Sequence, residues 1–138
     1  MMKRTAIMLA CAVALATPGR AEPLAAGTAI EAPGPQGPLA GTMLRSAQGE
    51  GQGPAALIIP GSGPTDRDGN NPYGMRAASY RLLAEALAVQ GVSTVRIDKR
   101  GIAASAAAGL EETKLRFDDY AADARAWATE AASRAGKP

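Results

Sequence analysis

The stretch Ala55-Ala-Leu-Ile-Ile-Pro-Gly-Ser-Gly-Pro-Thr-Asp-Arg-Asp-Gly-Asn-Asn71 decides how the chain is read. Residues 55–59 form an apolar run of the length a fully buried strand needs. Pro60 and Gly61 end it, because proline has no N–H for a ladder and glycine admits backbone angles that other residues avoid. In open α/β sheets, ligands sit where the chain leaves the carboxyl end of a strand. Gly61-Ser62-Gly63 carries little side-chain bulk at that point, so its N–H groups can approach a ligand oxygen. It is therefore a candidate anion or oxyanion cradle. A tight strand-to-helix turn with no ligand fits the same spacing.

Beyond this loop, Asp66, Asp68 and Asn70 alternate as in a calcium loop. The glycine, however, is fourth instead of sixth and the twelfth residue is Ala77 instead of Glu, which argues against calcium. Turn chemistry explains these residues better, since short Asp and Asn side chains bond nearby backbone and tolerate left-handed angles. Ser79 can cap a helix over residues 80–90, with Gly91 as a left-handed stop. Tyr80, Leu83, Ala84 and Leu87 fall on one face of it, the face expected to lie on a sheet. Val92-Ser-Thr-Val-Arg-Ile-Asp98 is the strongest strand in the chain, rich in β-branched residues, and it stops at Lys99-Arg100-Gly101. Strand, helix and strand with short links predict a right-handed crossover and a parallel pair.

Residues 101–114 read as an Ala- and Gly-bearing loop, and Phe117–Arg134 as a second amphipathic helix. Its shared face is Phe117, Tyr120, Ala121, Ala124, Trp127, Ala128 and Ala131, a stripe expected to be core. Asp118 and Asp119 lie at its positive N-terminal end, and Glu130 can pair with Arg134 one turn on. Before the central stretch, residues 39–44 form a short strand and residues 45–54 a glycine-rich connection. Residues 22–38 are Pro, Gly and Ala with little periodicity and read as an extended lead-in.

Residues 1–21 read as a cleaved secretory signal: Lys3 and Arg4, an apolar run over 6–16, a Pro18-Gly19 break and a small-residue site ending at Ala21. The apolar run is too short for a stable bilayer anchor. Met8-Leu-Ala-Cys11 has the outline of a lipoprotein box, but the run before it is too short for that as well. The expected location is secreted or periplasmic. Of 15 basic residues, Lys3, Arg4 and Arg20 leave with the signal, so 12 face 13 acidic ones and the net charge becomes −1. No basic patch interleaved with aromatics remains, which excludes nucleic acid as an expected partner. Cys11, the one cysteine, also leaves, so no disulfide is expected. The chain has no histidine, so it cannot assemble a Ser-His-Asp arrangement and lacks the commonest neutral zinc ligand.

Four segments together resemble the α/β-hydrolase superfamily, in particular exported bacterial esterases and serine-aminopeptidase-like hydrolases. They are Leu57-Ile-Ile-Pro-Gly-Ser-Gly-Pro-Thr-Asp-Arg-Asp-Gly-Asn70, Tyr80-Arg-Leu-Leu-Ala-Glu-Ala-Leu-Ala88, Arg96-Ile-Asp-Lys-Arg-Gly-Ile102 and Leu115-Arg-Phe-Asp-Asp-Tyr120 with Asp123. They follow the family's order across residues 39–134. The resemblance implies an incomplete α/β-hydrolase fold: a short, mostly parallel sheet with two flanking helices. It also implies that residues 39–138 are the N-terminal part of such a domain, truncated before the nucleophile elbow. The backbone N–H groups of Ser62 and Gly63 would then serve the oxyanion hole, the Ser62 hydroxyl would not be the nucleophile, and Ser105 would be structural. Ala103 stands where the family's loop usually has a second glycine, implying a distorted turn.

The resemblance further implies hydrolysis of a small-molecule ester or amide, with no cofactor and no metal. No Gly-x-Ser-x-Gly elbow occurs, so the chain is expected to be inactive by itself. Asp66, Asp68, Asp118, Asp119 and Asp123 are read as serving turns and a helix start, not a metal. A non-catalytic exported module binding a small anion, or a remnant without function, remain alternatives. In the family a further strand pairs with the 55–59 strand. Without it that strand is an unprotected edge, and with about three strands the mature piece buries little core, so marginal folding or self-association is expected.

Overall fold

The β-branched run that the sequence marks as its best strand is the centre of the sheet. In the computed structural model, which describes residues 27–34, 36–48 and 53–135, the elements run β1 (Thr28–Ala32), β2 (Leu39–Leu44), β3 (Ala55–Ile58), α1 (Ser79–Val89), β4 (Ser93–Ile97) and α2 (Phe117–Arg134). Short 3₁₀ turns, Ala103–Ala108 and Glu112–Lys114, fill the link between β4 and α2. The expected signal sequence, residues 1–21, lies outside the described residues.

Strand order is β1-β2-β4-β3. β3 and β4 are parallel, with Ala55 opposite Ser93 and Ile58 opposite Arg96, and α1 makes the crossover between them. The expected mostly parallel sheet is corrected by the other two pairs. β2 runs antiparallel to β4, with Gly41 opposite Ile97, and β1 runs antiparallel to β2, with Ala32 opposite Leu39. The sheet is mixed and mostly antiparallel because residues 28–32, read from sequence as lead-in, form a hairpin with β2. Ile30 and Ala32 are buried at a period of two, and the turn between the strands is tightened by a bond from the Gly37 N–H to the Gly34 carbonyl.

All five residues of β4 are buried, as befits a strand with neighbours on both edges and helices on both faces. Alternation sends Val95 and Ile97 to one face, where Ile30, Leu39, Met43, Trp127 and Ala131 form the larger core. Thr94 and Arg96 point to the other face, where among the described residues only Leu44, Ala84 and Ala88 are buried apolar residues. α2 covers the first face and α1 the second. Both helices lie where the sequence puts them, and Gly91 takes the expected left-handed angle, φ 85°.

The helix starts and faces differ in detail. Ser79 is the first helical residue of α1 and caps nothing; the carbonyl of Asp68 instead accepts the N–H groups of Tyr80 and Arg81. The expected buried stripe of α1 is covered only along Ala84 and Ala88, and Leu83 is 47 % exposed. On α2 the buried line is Asp123, Trp127 and Ala131, whereas Phe117 is 83 % and Tyr120 38 % exposed. The reason is the same for both helices. Periodicity identifies an apolar stripe, but β3 is the last strand on this side among the described residues, and nothing described covers the stripe's outer half.

Trp127 lies directly on the glycine of β2. A Cβ at Gly41 would come within 2.5 Å of the Trp127 ring and 3.0 Å of the Arg96 carbonyl. Gly41→Ala is therefore expected to destabilise the chain by about 1–3 kcal/mol through overpacking. A urea unfolding midpoint equal to that of the unmodified chain would show that the ring does not sit there.

Candidate functional site

The loop after β3 is built by its own short polar side chains. Asp66 Oδ1 accepts the N–H groups of Asp68 at 2.9 Å and Asn70 at 2.8 Å. Asn71 Oδ1 accepts those of Tyr73 and Met75, and Asn70 Oδ1 accepts that of Ala78. These are the turn roles the sequence suggests for these residues. Among the described residues, no group of three or more His, Cys, Asp or Glu could hold a metal ion.

Three consecutive residues after β4 anchor its surroundings: two hold this loop and the third holds α2. Asp98, 1 % exposed, accepts the backbone N–H of Arg67 at 2.7 Å on Oδ1. Its Oδ2 accepts Arg67 Nε at 3.0 Å, Arg67 Nη2 at 2.7 Å and the Ala104 N–H at 3.1 Å. Arg67 Nη1 continues to the Thr42 hydroxyl at 3.2 Å. Next door, Lys99 Nζ donates to the carbonyls of Gly61 and Gly63, the latter at 2.8 Å. Arg100 turns the other way, to α2, where it grips Asp123 through Nε at 2.7 Å and Nη2 at 2.6 Å. That two-pronged bond raises the Arg100 pKa against the opposing effect of burial.

A second arginine pair closes the α1 face. Arg96 Nη1 bonds Asp68, and burial lowers the Arg96 pKa despite the attraction of that carboxylate. A cleft of about 430 Å³ opens beside it, lined by Thr42, Arg67, Asp68, Arg96, Asp98 and Ala104. Its cations are already matched by Asp68 and Asp98, so the cleft carries no surplus positive charge for an anion.

The expected oxyanion donors lie elsewhere, on the exposed tip of the loop. Ser62 and Gly63 are both exposed, and Gly63 has φ 79°, a left-handed angle that suits glycine. Among the described residues, neither of their N–H groups meets an acceptor. The Gly61 N–H is engaged by the Tyr80 hydroxyl at 3.4 Å. Peptide geometry then fixes a direction. The bond joining Gly61 to Ser62 is trans, so the Gly61 carbonyl and the Ser62 N–H lie in one plane and point in opposite directions. With that carbonyl held by Lys99, the Ser62 N–H points away from Lys99. A cavity of about 40 Å³ lies between the ends of β3 and β4 and α2, lined among others by Ile59, Lys99, Tyr120 and Trp127.

The other expectations sort as follows. Ser105 is fully buried and bridges strands: its hydroxyl accepts the Ala40 N–H at 2.9 Å and donates to the Asp98 carbonyl at 3.0 Å. Ala103 takes φ 45°, where a non-glycine residue is strained by about 1–2 kcal/mol. Asp119 does serve the start of α2, accepting the Arg116 N–H at 2.8 Å. Asp68 and Asp123 do more than shape turns or a helix start, since each holds an arginine. Sequence reasoning did not assign Asp98, Lys99 or Arg100 separate tasks. The available signal was three charged residues in a row where a β-branched strand ends. No protein-family model matches the chain, and no curated protein matches it.

Two predictions test this site. In Asp98→Asn, either orientation of the amide points an NH2 group at N–H donors, so a loss of about 3–5 kcal/mol is expected. Denaturant unfolding followed by circular dichroism checks it, and a loss below about 1 kcal/mol would contradict the hub geometry. Burial also pushes the Lys99 ammonium pKa below the ordinary lysine value. The folded chain then releases this proton before the unfolded chain does, so Lys99 opposes folding at neutral pH. That deficit fades as pH rises from the lowered value toward the ordinary one. Carbon-13 methylation should show a Lys99 titration midpoint below that of a free lysine reference, and Lys99→Met should abolish the accompanying rise in stability.

Proposed function

We propose that this chain is the N-terminal portion of a secreted or periplasmic serine hydrolase acting on a small ester or amide, to which it contributes the oxyanion loop. The observation that carries this reading is the loop at Gly61-Ser62-Gly63. The carbonyls of Gly61 and Gly63 are turned onto Lys99, while Ser62 and Gly63 are exposed and their N–H groups have no acceptors among the described residues. The loop leaves the carboxyl end of a strand that is parallel to its neighbour, where α/β proteins place ligands. The family-like order of four sequence segments supports the same reading.

The chemistry asked of the loop is limited. As an ester or amide carbonyl is attacked, its oxygen gains negative charge, and two fixed N–H donors stabilise that charge with little reorganisation. Losing one such donor typically slows an enzyme by ~100-fold or more. The nucleophile and the histidine base are not among these 138 residues, which contain no histidine.

The reading is tested with a tetrahedral anion that imitates the developing charge. Titrating methylphosphonate into the isotope-labelled chain should shift the amide resonances of Ser62 and Gly63 more than any others. Ser62→Ala, which keeps the N–H, should retain the shift at position 62; Ser62→Pro, which removes it, should abolish binding while the remaining spectrum stays dispersed. A response confined to exposed lysine and arginine neighbours would refute the loop assignment. Hydrolysis of a chromogenic short-chain ester should stay at the buffer rate, and serine-dependent turnover would refute the absence of a complete triad.

A further inference from the structure

A second cleft, of about 310 Å³, shares Asp66 and Ala103 with the one beside Arg96. It opens between the loop after β3 and the turn after β4, with Pro64, Pro72 and Ile102 as apolar wall and Arg76 as its cation. Pro64 follows Gly63 in the chain, so this cleft adjoins the segment that carries the free N–H groups.

The two clefts differ in how their charges are matched. In the first, Arg67 and Arg96 are each held by a carboxylate. Arg76 has no such partner among the described residues. Its one bond runs from Nη1 to the Asn71 carbonyl at 3.3 Å, which leaves Nε and Nη2 free. Asp66 also lines this cleft, but its oxygens are turned to the loop's own donors. Oδ1 takes the N–H groups of Asp68 and Asn70, and Oδ2 takes Asn70 Nδ2 at 3.4 Å. Nor does Arg76 stand on a loose segment. The Asn71 N–H bonds the Met75 carbonyl on one side of it, and Asn70 Oδ1 takes the Ala78 N–H on the other, each at 3.1 Å. The free Nε and Nη2 donors form one edge of a planar fork, the shape that grips two oxygens of a carboxylate or a phosphate.

We propose that Arg76 is a specificity residue, and that this cleft takes a part of the substrate bearing an anionic oxygen group, a carboxylate or a phosphate, which the Nε–Nη2 edge binds. The preferred ester or amide is then one that carries a negative charge on this side of the reacting carbonyl. The inference rests on the oxyanion reading, because the N–H groups of Ser62 and Gly63 are what place that carbonyl beside the cleft.

Resonances of backbone amides and of the Arg76 guanidinium test it in the isotope-labelled chain. Phosphonoacetate, phosphonopropionate and phosphonobutyrate tether a carboxylate to the tetrahedral anion at increasing reach, and the matching diphosphonates tether a phosphate-like group. The best of these should bind about threefold tighter than methylphosphonate at low ionic strength and should shift the Arg76 Nε–H resonance. That is the gain an exposed ion pair provides, and added salt should remove it. The series that gains more identifies the anionic group. Arg76→Gln should erase the gain and leave methylphosphonate binding unchanged. Arg81→Gln, at an exposed arginine already paired with Glu85, should leave both unchanged. If no tethered anion gains while methylphosphonate still shifts Ser62 and Gly63, or if the gain survives Arg76→Gln, the inference is overturned and the oxyanion reading stands. Methylphosphonate shifts absent from Ser62 and Gly63 would instead overturn the oxyanion reading, and this inference with it.

Discussion

The buried Asp98 carboxylate is the constraint on which the site depends. Removing a carboxylate from water costs several kcal/mol after relaxation, and the interior returns this only when its oxygens are fully bonded. Here Oδ1 takes one donor and Oδ2 three, supplied by the loop after β3 and the turn after β4. Neither segment can move without leaving a buried charge short of donors. Asp98 is also anchored through its own backbone: its N–H bonds the Ala40 carbonyl, and its carbonyl accepts the Ser105 hydroxyl. The end of β4 is thus stationary, which is why its two neighbours can act as fixed posts.

Lys99 and Arg100 use that fixity in opposite directions. Arg100 reaches α2 and, by its fork on Asp123, sets where that helix sits over the larger core. A lysine could not make the same planar pair of hydrogen bonds to a carboxylate. Lys99 reaches the glycine loop, where a compact ammonium with three donors suits two carbonyls better than a planar fork would. Residue type follows task at both positions.

Much of this was legible in the sequence, and the gaps have physical causes. Periodicity and stop signals placed β2, β4 and both helices, because those features are local. β1 was missed because only Ile30 and Ala32 mark its buried face, and a five-residue strand amid Pro and Gly shows almost no pattern. Periodicity also could not say how far each apolar stripe is covered: Leu83 and Phe117 stand exposed, because cover comes from residues distant in sequence. At the site, the position of Ser62 and Gly63 after a strand was readable. The partnerships were not. Arg67 and Asp98 stand 31 residues apart and Arg100 and Asp123 stand 23 apart, and charged residues at such separations carry no mark of whom they pair with.

The loop's composition makes sense only together with Lys99. A glycine-rich turn is free to adopt many conformations, and that freedom would be lost on binding any ligand, at about 1–2 kcal/mol per ordered residue. Gripping two carbonyls from below spends that entropy during folding. Because a trans peptide carries its N–H opposite its carbonyl, the same grip fixes which way the Ser62 N–H points. Bulky side chains at 61 or 63 would meet no steric obstacle, since a Cβ at either glycine has nothing within 4 Å. The requirement for glycine at 63 is therefore its left-handed φ, and at 61 the open space above the backbone is itself the feature that small residues preserve. Under the proposed function, the carbonyl oxygen of the substrate would sit at the Ser62 and Gly63 N–H groups. The ammonium behind the loop would add a favourable field without touching it.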